Sequence, residues 1–149
     1  MEKTSEASTL DSICQTIRVE GDVSDSHVAE LVDKFGQRAD KALEALNESR
    51  IKKYVFQPSG RIVWIVVGKE RDYLVMPSIG YCSCDDFYYQ FDHGHVCYHI
   101  IAQKLAEATG RFDLFEDDDR FYDVLIREWK YIEERPTKTK KTEDSEDTV

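Results

Sequence analysis

The spacing of apolar residues changes character three times along the chain. Residues 26–48 carry an apolar side chain every three or four positions, which predicts amphipathic helix, and Gly36 is the point at which this stretch divides into two helices. Ser24 and Ser26 precede it as candidate N-caps. Residues 10–19 predict a further, short helix. The first third of the chain is therefore expected to be helical.

Residues 51–82 have the composition of β-strands. The runs 51–57 and 61–68 are rich in β-branched and aromatic residues, and a Pro-Ser-Gly turn separates them. A third strand is predicted at 73–76, followed by Pro77, and 79–82 is either a fourth strand or the segment that leads into the cysteines. These strands predict a small antiparallel sheet with 61–68 at its centre.

Helical spacing returns after residue 96. An apolar stripe runs to Ala108 and ends at Gly110. A last helix is predicted at about 117–133, because an acidic run from Glu116 to Asp119 suits the positive end of a helix dipole. Its predicted core face consists of Phe121, Leu125, Trp129 and Ile132. The fold class is α+β, with N-terminal helices, an antiparallel sheet, a cysteine cluster and C-terminal helices.

The 149 residues suffice for one domain. We expect a single domain over 10–135, a disordered N-terminus over 1–9, and a disordered charged tail over 136–149, which has no large apolar residue except Val149. The N-terminus lacks the features of a secretory signal, and no apolar run reaches the roughly 20 residues that span a bilayer. An intracellular protein is expected, cytoplasmic if archaeal and nuclear if eukaryotic.

Charge is distributed unevenly along the chain. The net charge is −10, which disfavours a protein that coats nucleic acid through its overall field. Between Lys34 and Arg71, nine basic and four acidic residues give +5; between Glu107 and Asp123, seven acidic and two basic residues give −5. The sequence therefore predicts a polarised molecule.

The clearest chemical motif combines cysteine and histidine. It reads Cys82-Ser83-Cys84, then twelve residues, then Cys97-Tyr98-His99. Zinc binds four such ligands in a tetrahedron. Residues two apart in a helix point about 200° from each other, so Cys97 must lie at or before a helix start with His99 in the first turn. The motif predicts one structural zinc ion that ties the sheet to the helix.

Other interpretations of this cluster remain open. The cysteines are alternatively unligated core thiols or redox groups, although a disulfide between neighbours at 82 and 84 would be strained. His93 and His95 lie in the intervening loop, and His95 is the substitute ligand if His99 points away. Asp85 or Asp86 is a candidate acceptor for the second ring nitrogen of His99.

No enzymatic motif accompanies the cluster. Four protein ligands leave no open position on zinc for water or substrate. The sequence contains neither a glycine-rich phosphate loop nor a GxSxG or HExxH motif. We therefore expect a protein without enzymatic activity.

The CxC…CxH pattern resembles the SWIM zinc finger. The stretches FGQRADKALEAL (35–46), PSGRIVW (58–64), YCSCDDF (81–87) and CYHIIAQKLA (97–106) are similar to the small SWIM proteins of the Shu complex type and their archaeal relatives, over about 31–130. The loop FYYQFDHGH (87–95) does not match this pattern. The resemblance implies zinc ligands at Cys82, Cys84, Cys97 and His99, and a subunit that binds a RecA-family recombinase paralogue in homologous recombination.

Two functions follow as hypotheses. In the first, the chain is a protein-interaction subunit, and a second apolar stripe containing Tyr122 and Ile126 contacts the partner; the alternative is that its own domain encloses that helix. In the second, the chain binds single-stranded DNA, because basic side chains follow phosphates and aromatic rings stack on bases. The residues for this second function would be Lys52, Lys53, Arg61, Tyr88 and Tyr89.

Overall fold

A computed structural model describes residues 6–77, 81–84 and 96–134, with side chains described up to Glu128. The helices are α1 (Glu6–Glu20), α2 (Asp25–Phe35), α3 (Gln37–Asn47), α4 (Tyr98–Thr109) and α5 (Tyr122–Glu134). The strands are β1 (Ile51–Gln57), β2 (Arg61–Val67), β3 (Asp72–Met76), β4 (Tyr81–Cys82) and β5 (Asp113–Asp118). The α+β class predicted from the sequence is confirmed. None of the described helices has the length and apolar character needed to cross a bilayer.

The five strands form one sheet in the order β4-β3-β2-β1-β5. Strands β1 to β4 pair antiparallel as predicted, but β5 pairs with β1 in parallel, so that Lys52 lies beside Asp113 and Gln57 beside Asp118. The predicted all-antiparallel sheet is therefore wrong at this edge. The acidic residues predicted to begin the last helix belong instead to β5 and a 3-10 turn (Asp119–Phe121).

Helix α4 packs on one face of the sheet, which we call the helical face, and α1 and α3 pack against α4. Trp64, Val66 and Val75 of the sheet belong to a core that continues into α1, α3 and α4. Alanines on α3 and α4, among them Ala42 and Ala106, are fully buried in this core. Their small side chains let the two helices approach closely, which holds α4 in place over the sheet.

The N-terminal helices begin and end largely as their sequence predicts. Gly36 separates α2 from α3 with a positive φ of 61°, and its N–H donates to the carbonyl of Val32. Ser24 is the N-cap of α2 and forms a capping box with His27. Helix α1, however, begins at Glu6, so residues 6–9 are helical where the sequence predicted disorder.

Helix α5 packs against the opposite face of the sheet, the α5 face. Tyr122 and Ile126 are half-buried there against a second core, which contains Phe56, Val63, Ile65 and Leu74. This packing favours the alternative that the domain's own sheet encloses the helix, while contact of these two residues with a partner stays a prediction. Phe121, predicted as a core residue, is 43% exposed because it precedes the helix in the 3-10 turn. The side chains of Trp129 and Ile132 lie outside the described residues.

Candidate metal centre

The structure brings the four predicted zinc ligands together. One ligand atom from each of Cys82, Cys84, Cys97 and His99 lies within 4.8 Å of all the others, and all four side chains are buried. Two sulfur ligands at tetrahedral positions on zinc are about 3.8 Å apart, given a Zn–S bond of about 2.3 Å. The cluster therefore has the size and the donor set of a structural zinc site.

Helix α4 presents two of these ligands from its first turn. Cys97 is the N-cap residue, with extended backbone angles (φ −75°, ψ 165°), and His99 is the second residue of the helix. The extended conformation at Cys97 removes the 200° divergence that a regular helix would impose on these two side chains. Cys97 thus lies at the helix start and His99 in the first turn, as the spacing predicts.

The other two ligands are held by the strand next to them. Between Cys82 and Cys84, the Ser83 N–H donates to the carbonyl of Leu74 at 3.0 Å, and the Leu74 N–H donates to Ser83 Oγ at 3.0 Å. Ser83 is only 3% exposed. These two bonds attach the CxC segment to β3 and fix the direction of both thiols. Sequence reasoning missed this role, since a serine between two cysteines carries no signal of its own.

The electrostatics of the sulfur cluster favour a cation. Burial raises the pKa of the Cys82 thiol far above its usual range. Hydrogen bonds from Cys82 and Cys97 hold the pKa of Cys84 well below its usual range. Three buried thiols this close to one another cannot all ionise without a neighbouring positive charge. A divalent cation supplies the charge that lets every ligating sulfur ionise.

His99 fits the same metal site. Its ring is buried, and neither ring nitrogen has a hydrogen-bond partner among the described residues. The rings of Tyr73 and Tyr98 each lie 3.9 Å from the His99 ring, between centroids, and fix its orientation. A buried imidazole without a partner is costly unless a ligand occupies it. Zinc bonded to one of the two nitrogens would satisfy that nitrogen and would connect the sheet to α4.

A charged pair from distant elements holds the backbone just before Cys97. Arg38 of α3 makes a bidentate contact with Glu6 of α1, at 2.9 Å and 2.8 Å. Glu6 Oε1 also accepts the Val96 N–H at 2.8 Å, and Arg38 donates to the Val96 carbonyl. We call these three residues the Glu6–Arg38–Val96 clamp. Glu6 and Val96 are 90 positions apart, so no local pattern could have predicted it.

The remaining predicted site residues fall into two groups. Tyr88, Tyr89, His93, His95 and the candidate acceptors Asp85 and Asp86 lie outside the described residues. The basic residues predicted for DNA binding, Lys52, Lys53 and Arg61, are described. Lys52 of β1 lies over the Phe115 ring, and Lys53 lies over the Trp64 ring. These two rings lie on opposite faces of the sheet. Arg61 lies 3.8 Å from the Tyr122 ring and pairs with Asp119.

Similarity to known proteins agrees with this site. The chain is 36% identical over 100 residues to an uncharacterised protein of Archaeoglobus fulgidus, covering 67% of this chain and 80% of that one. It is 32% identical over 108 residues to the zinc finger SWIM domain-containing protein 7 homolog of Dictyostelium discoideum, covering 70% and 69%. The chain belongs to this SWIM zinc-finger family. Human zinc finger SWIM domain-containing protein 7 is 26% identical over 126 residues, covering 81% of this chain and 89% of the human protein.

The SWIM assignment rests on these relatives and on the Cys-Cys-Cys-His cluster. No family model matches the chain, and no solved structure is significantly similar to it. The remaining cysteine, Cys14, belongs to α1 and is 3% exposed. Burial raises its pKa to about 11, so it is a neutral core thiol at physiological pH.

Proposed function

We propose that this SWIM protein is a zinc-stabilised interaction subunit, without enzymatic activity, that binds a RecA-family recombinase paralogue and supports homologous recombination. The supporting observation is the buried cluster of four ligand residues, which would fill all four tetrahedral positions of a zinc ion. Such a site stabilises a fold and leaves no position for a reacting molecule. The choice of partner rests on the resemblance to the small SWIM subunits of the Shu complex.

The charge distribution fits a protein partner better than direct DNA binding. Lys52 and Lys53 each lie over an aromatic ring, and their rings are on opposite faces of the sheet. Arg61 is paired with Asp119. A backbone of phosphates needs basic groups along one continuous surface. These three residues form no such surface, and the net charge of −10 opposes long-range attraction to DNA.

A capture experiment tests the partner. The tagged full chain is expressed in its source organism, purified at moderate salt, and its bound proteins are identified by mass spectrometry. We expect enrichment of a RecA-family ATPase over a tag-only control. Capture that yields no such ATPase contradicts the proposed partner.

A binding assay tests the DNA alternative separately. Fluorescence anisotropy with labelled single-stranded DNA at about 150 mM salt should show no binding by the purified chain. Binding that is abolished by Lys52→Glu/Lys53→Glu, but retained by the matched control Lys34→Glu/Lys69→Glu, would establish the alternative and overturn an interaction-only role. The control makes the same charge change at two exposed lysines outside β1.

A further inference from the structure

Strand β5 forms one edge of the sheet. It pairs with β1 on one side, and no described strand pairs with its other side. All six of its residues, Asp113–Asp118, are at least partly solvent-exposed. An edge strand presents unpaired backbone N–H and C=O groups, which another extended chain can use.

The side chains of β5 combine negative charge with exposed apolar surface. Four of its six residues are acidic, and the other two, Leu114 and Phe115, are 58% and 40% exposed. Of the described arginines next to β5, Arg111 is engaged elsewhere and contacts Asn47 at 3.0 Å, whereas Arg120 lies 3.6 Å from Asp118 and offsets part of the charge at that end of the strand. Beside the strand, Lys52 lies over the Phe115 ring and Lys53 over Trp64. The outer edge therefore keeps a predominantly negative character.

The register shows how this character is divided between the two faces. Phe115 shares a face with Tyr54, with which it stacks at 5.1 Å, and Asp113 and Asp117 lie on that same face. Leu114, Glu116 and Asp118 lie on the other. Each face of the edge thus presents one apolar side chain and two carboxylates, a pattern that extends over the length of one strand.

Charge excludes a second copy of this chain as the occupant. Pairing β5 with β5 of another molecule would bring two sets of four carboxylates together, and like charges on facing strands are destabilising. An extended segment that carries lysine or arginine next to apolar residues would complement both features. Four acidic residues in six also suppress non-specific pairing by neutral strands.

We propose that β5 is a docking edge for a basic, extended segment of a partner protein, which adds to the sheet as a sixth strand. Basic side chains of that segment pair with Asp113, Glu116 and Asp117, while its apolar side chains cover Leu114 and Phe115. The identity of the protein that carries the segment rests on the proposed function, but the chemistry of the edge does not.

A peptide titration tests the edge without a known partner. The probe is a blocked hexapeptide of alternating lysine and valine, added to the isotope-labelled full chain and followed by NMR. We expect amide shifts concentrated in residues 113–118. The same peptide methylated at alternate backbone nitrogens keeps its charge but cannot form a ladder, and it should bind about tenfold more weakly, the effect of losing one or two hydrogen bonds.

Matched variants separate charge at the edge from charge in general. Asp113→Lys/Glu116→Lys reverses two exposed β5 carboxylates, and Glu30→Lys/Asp33→Lys makes the same change at exposed positions of α2. The β5 variant should lose about tenfold in peptide affinity and the α2 variant less than about twofold. The proposal would be overturned if the methylated peptide bound as tightly as the unmethylated one, or if the amide shifts lay outside residues 113–118. Equal loss of peptide affinity in the β5 and α2 variants would overturn it as well. So would sedimentation data showing a wild-type dimer that the β5 variant abolishes.

The same variants distinguish failure of the edge from failure of the proposed partner. If the wild-type chain captures a RecA-family ATPase and the β5 variant captures it equally well, the docking edge is wrong and the partner stands. If the β5 variant alone loses it, both proposals are supported. If the wild-type chain captures none while the peptide binds β5 as expected, the edge stands and the proposed partner fails.

Discussion

The Glu6–Arg38–Val96 clamp predicts that zinc retention depends on a residue far from any ligand. Arg38→Ala removes both contacts to Glu6 and the hydrogen bond to the Val96 carbonyl. Val96 is 4% exposed and immediately precedes the ligand Cys97, so the unpaired carbonyl remains largely buried. The loss should therefore loosen the segment that carries one of the four ligands.

The magnitude follows from the exposure of the pair. Hydrogen bonds to charged groups contribute about 1.5–3 kcal/mol when buried. The side chains of Arg38 and Glu6 are 23% and 35% exposed, so water compensates part of the loss. We expect Arg38→Ala to lower the free energy of unfolding by about 2 kcal/mol. If about 1.4 kcal/mol of this loss falls on the zinc-bound state, zinc affinity falls about tenfold, and we expect zinc release to be faster.

Two measurements check this expectation. Urea unfolding of the zinc-loaded chain, for Glu6→Ala, Arg38→Ala and the double variant, should give a coupling energy of about 1–2 kcal/mol. Transfer of zinc to a chromogenic chelator should be faster in each single variant. Lys104→Ala is the control, because its exposed pair with Asp11 at 3.5 Å also joins α1 to α4 but lies outside the clamp. A coupling energy below about 0.5 kcal/mol between Glu6 and Arg38, or an unchanged rate of zinc release, would refute this reasoning.

Three further predictions concern the metal centre and the helical core. Ser83→Ala should lower the free energy of unfolding by about 1–3 kcal/mol in urea titrations, because the buried N–H of Leu74 loses its acceptor. An unchanged urea midpoint would contradict the attachment of the CxC segment to β3 through Ser83. Cys97→Ser should reduce the zinc content measured by elemental analysis from one ion per chain to none, and it should lower the melting temperature. A variant that melts like the wild type would argue against a structural metal. Burial raises the pKa of the Cys14 thiol above its unfolded value of 9.0 to about 11. The folded state therefore holds this proton more strongly than the unfolded state, which adds to the free energy of unfolding below pH 9. That contribution is lost as the pH rises from about 9 to 11. A Cys14→Ala variant should lack that part of the alkaline loss in unfolding experiments, and parallel pH profiles would refute it.

Much of the metal centre could be predicted because its information is local. The ligand types and their spacing identify zinc, and helix geometry requires Cys97 to precede the helix, where the structure has it as the N-cap. The division of the helical stretch at Gly36 follows from a residue that tolerates positive φ. Strands β1 to β3 follow from their β-branched runs and the turn between β1 and β2.

Strand β5 shows why the rest could not be predicted. Its sequence, DLFEDD, has low strand propensity, and its acidic residues suit a helix start equally well. It becomes a strand because β1 offers a free edge for parallel pairing and Phe115 stacks on Tyr54 at 5.1 Å. That pairing displaces the start of α5 to Tyr122 and turns Tyr122 and Ile126 onto the sheet.

The sequence by itself therefore determined which residues bind the metal, how the helix that presents two of them begins, and the overall class of fold. Each of these depends on residues within about twenty positions of one another or on a direct chemical preference. Tertiary structure alone decided the parallel edge strand, the side of α5 that is buried, and the Glu6–Arg38–Val96 clamp. These features depend on contacts between residues up to 90 positions apart, whose free energy no local propensity contains.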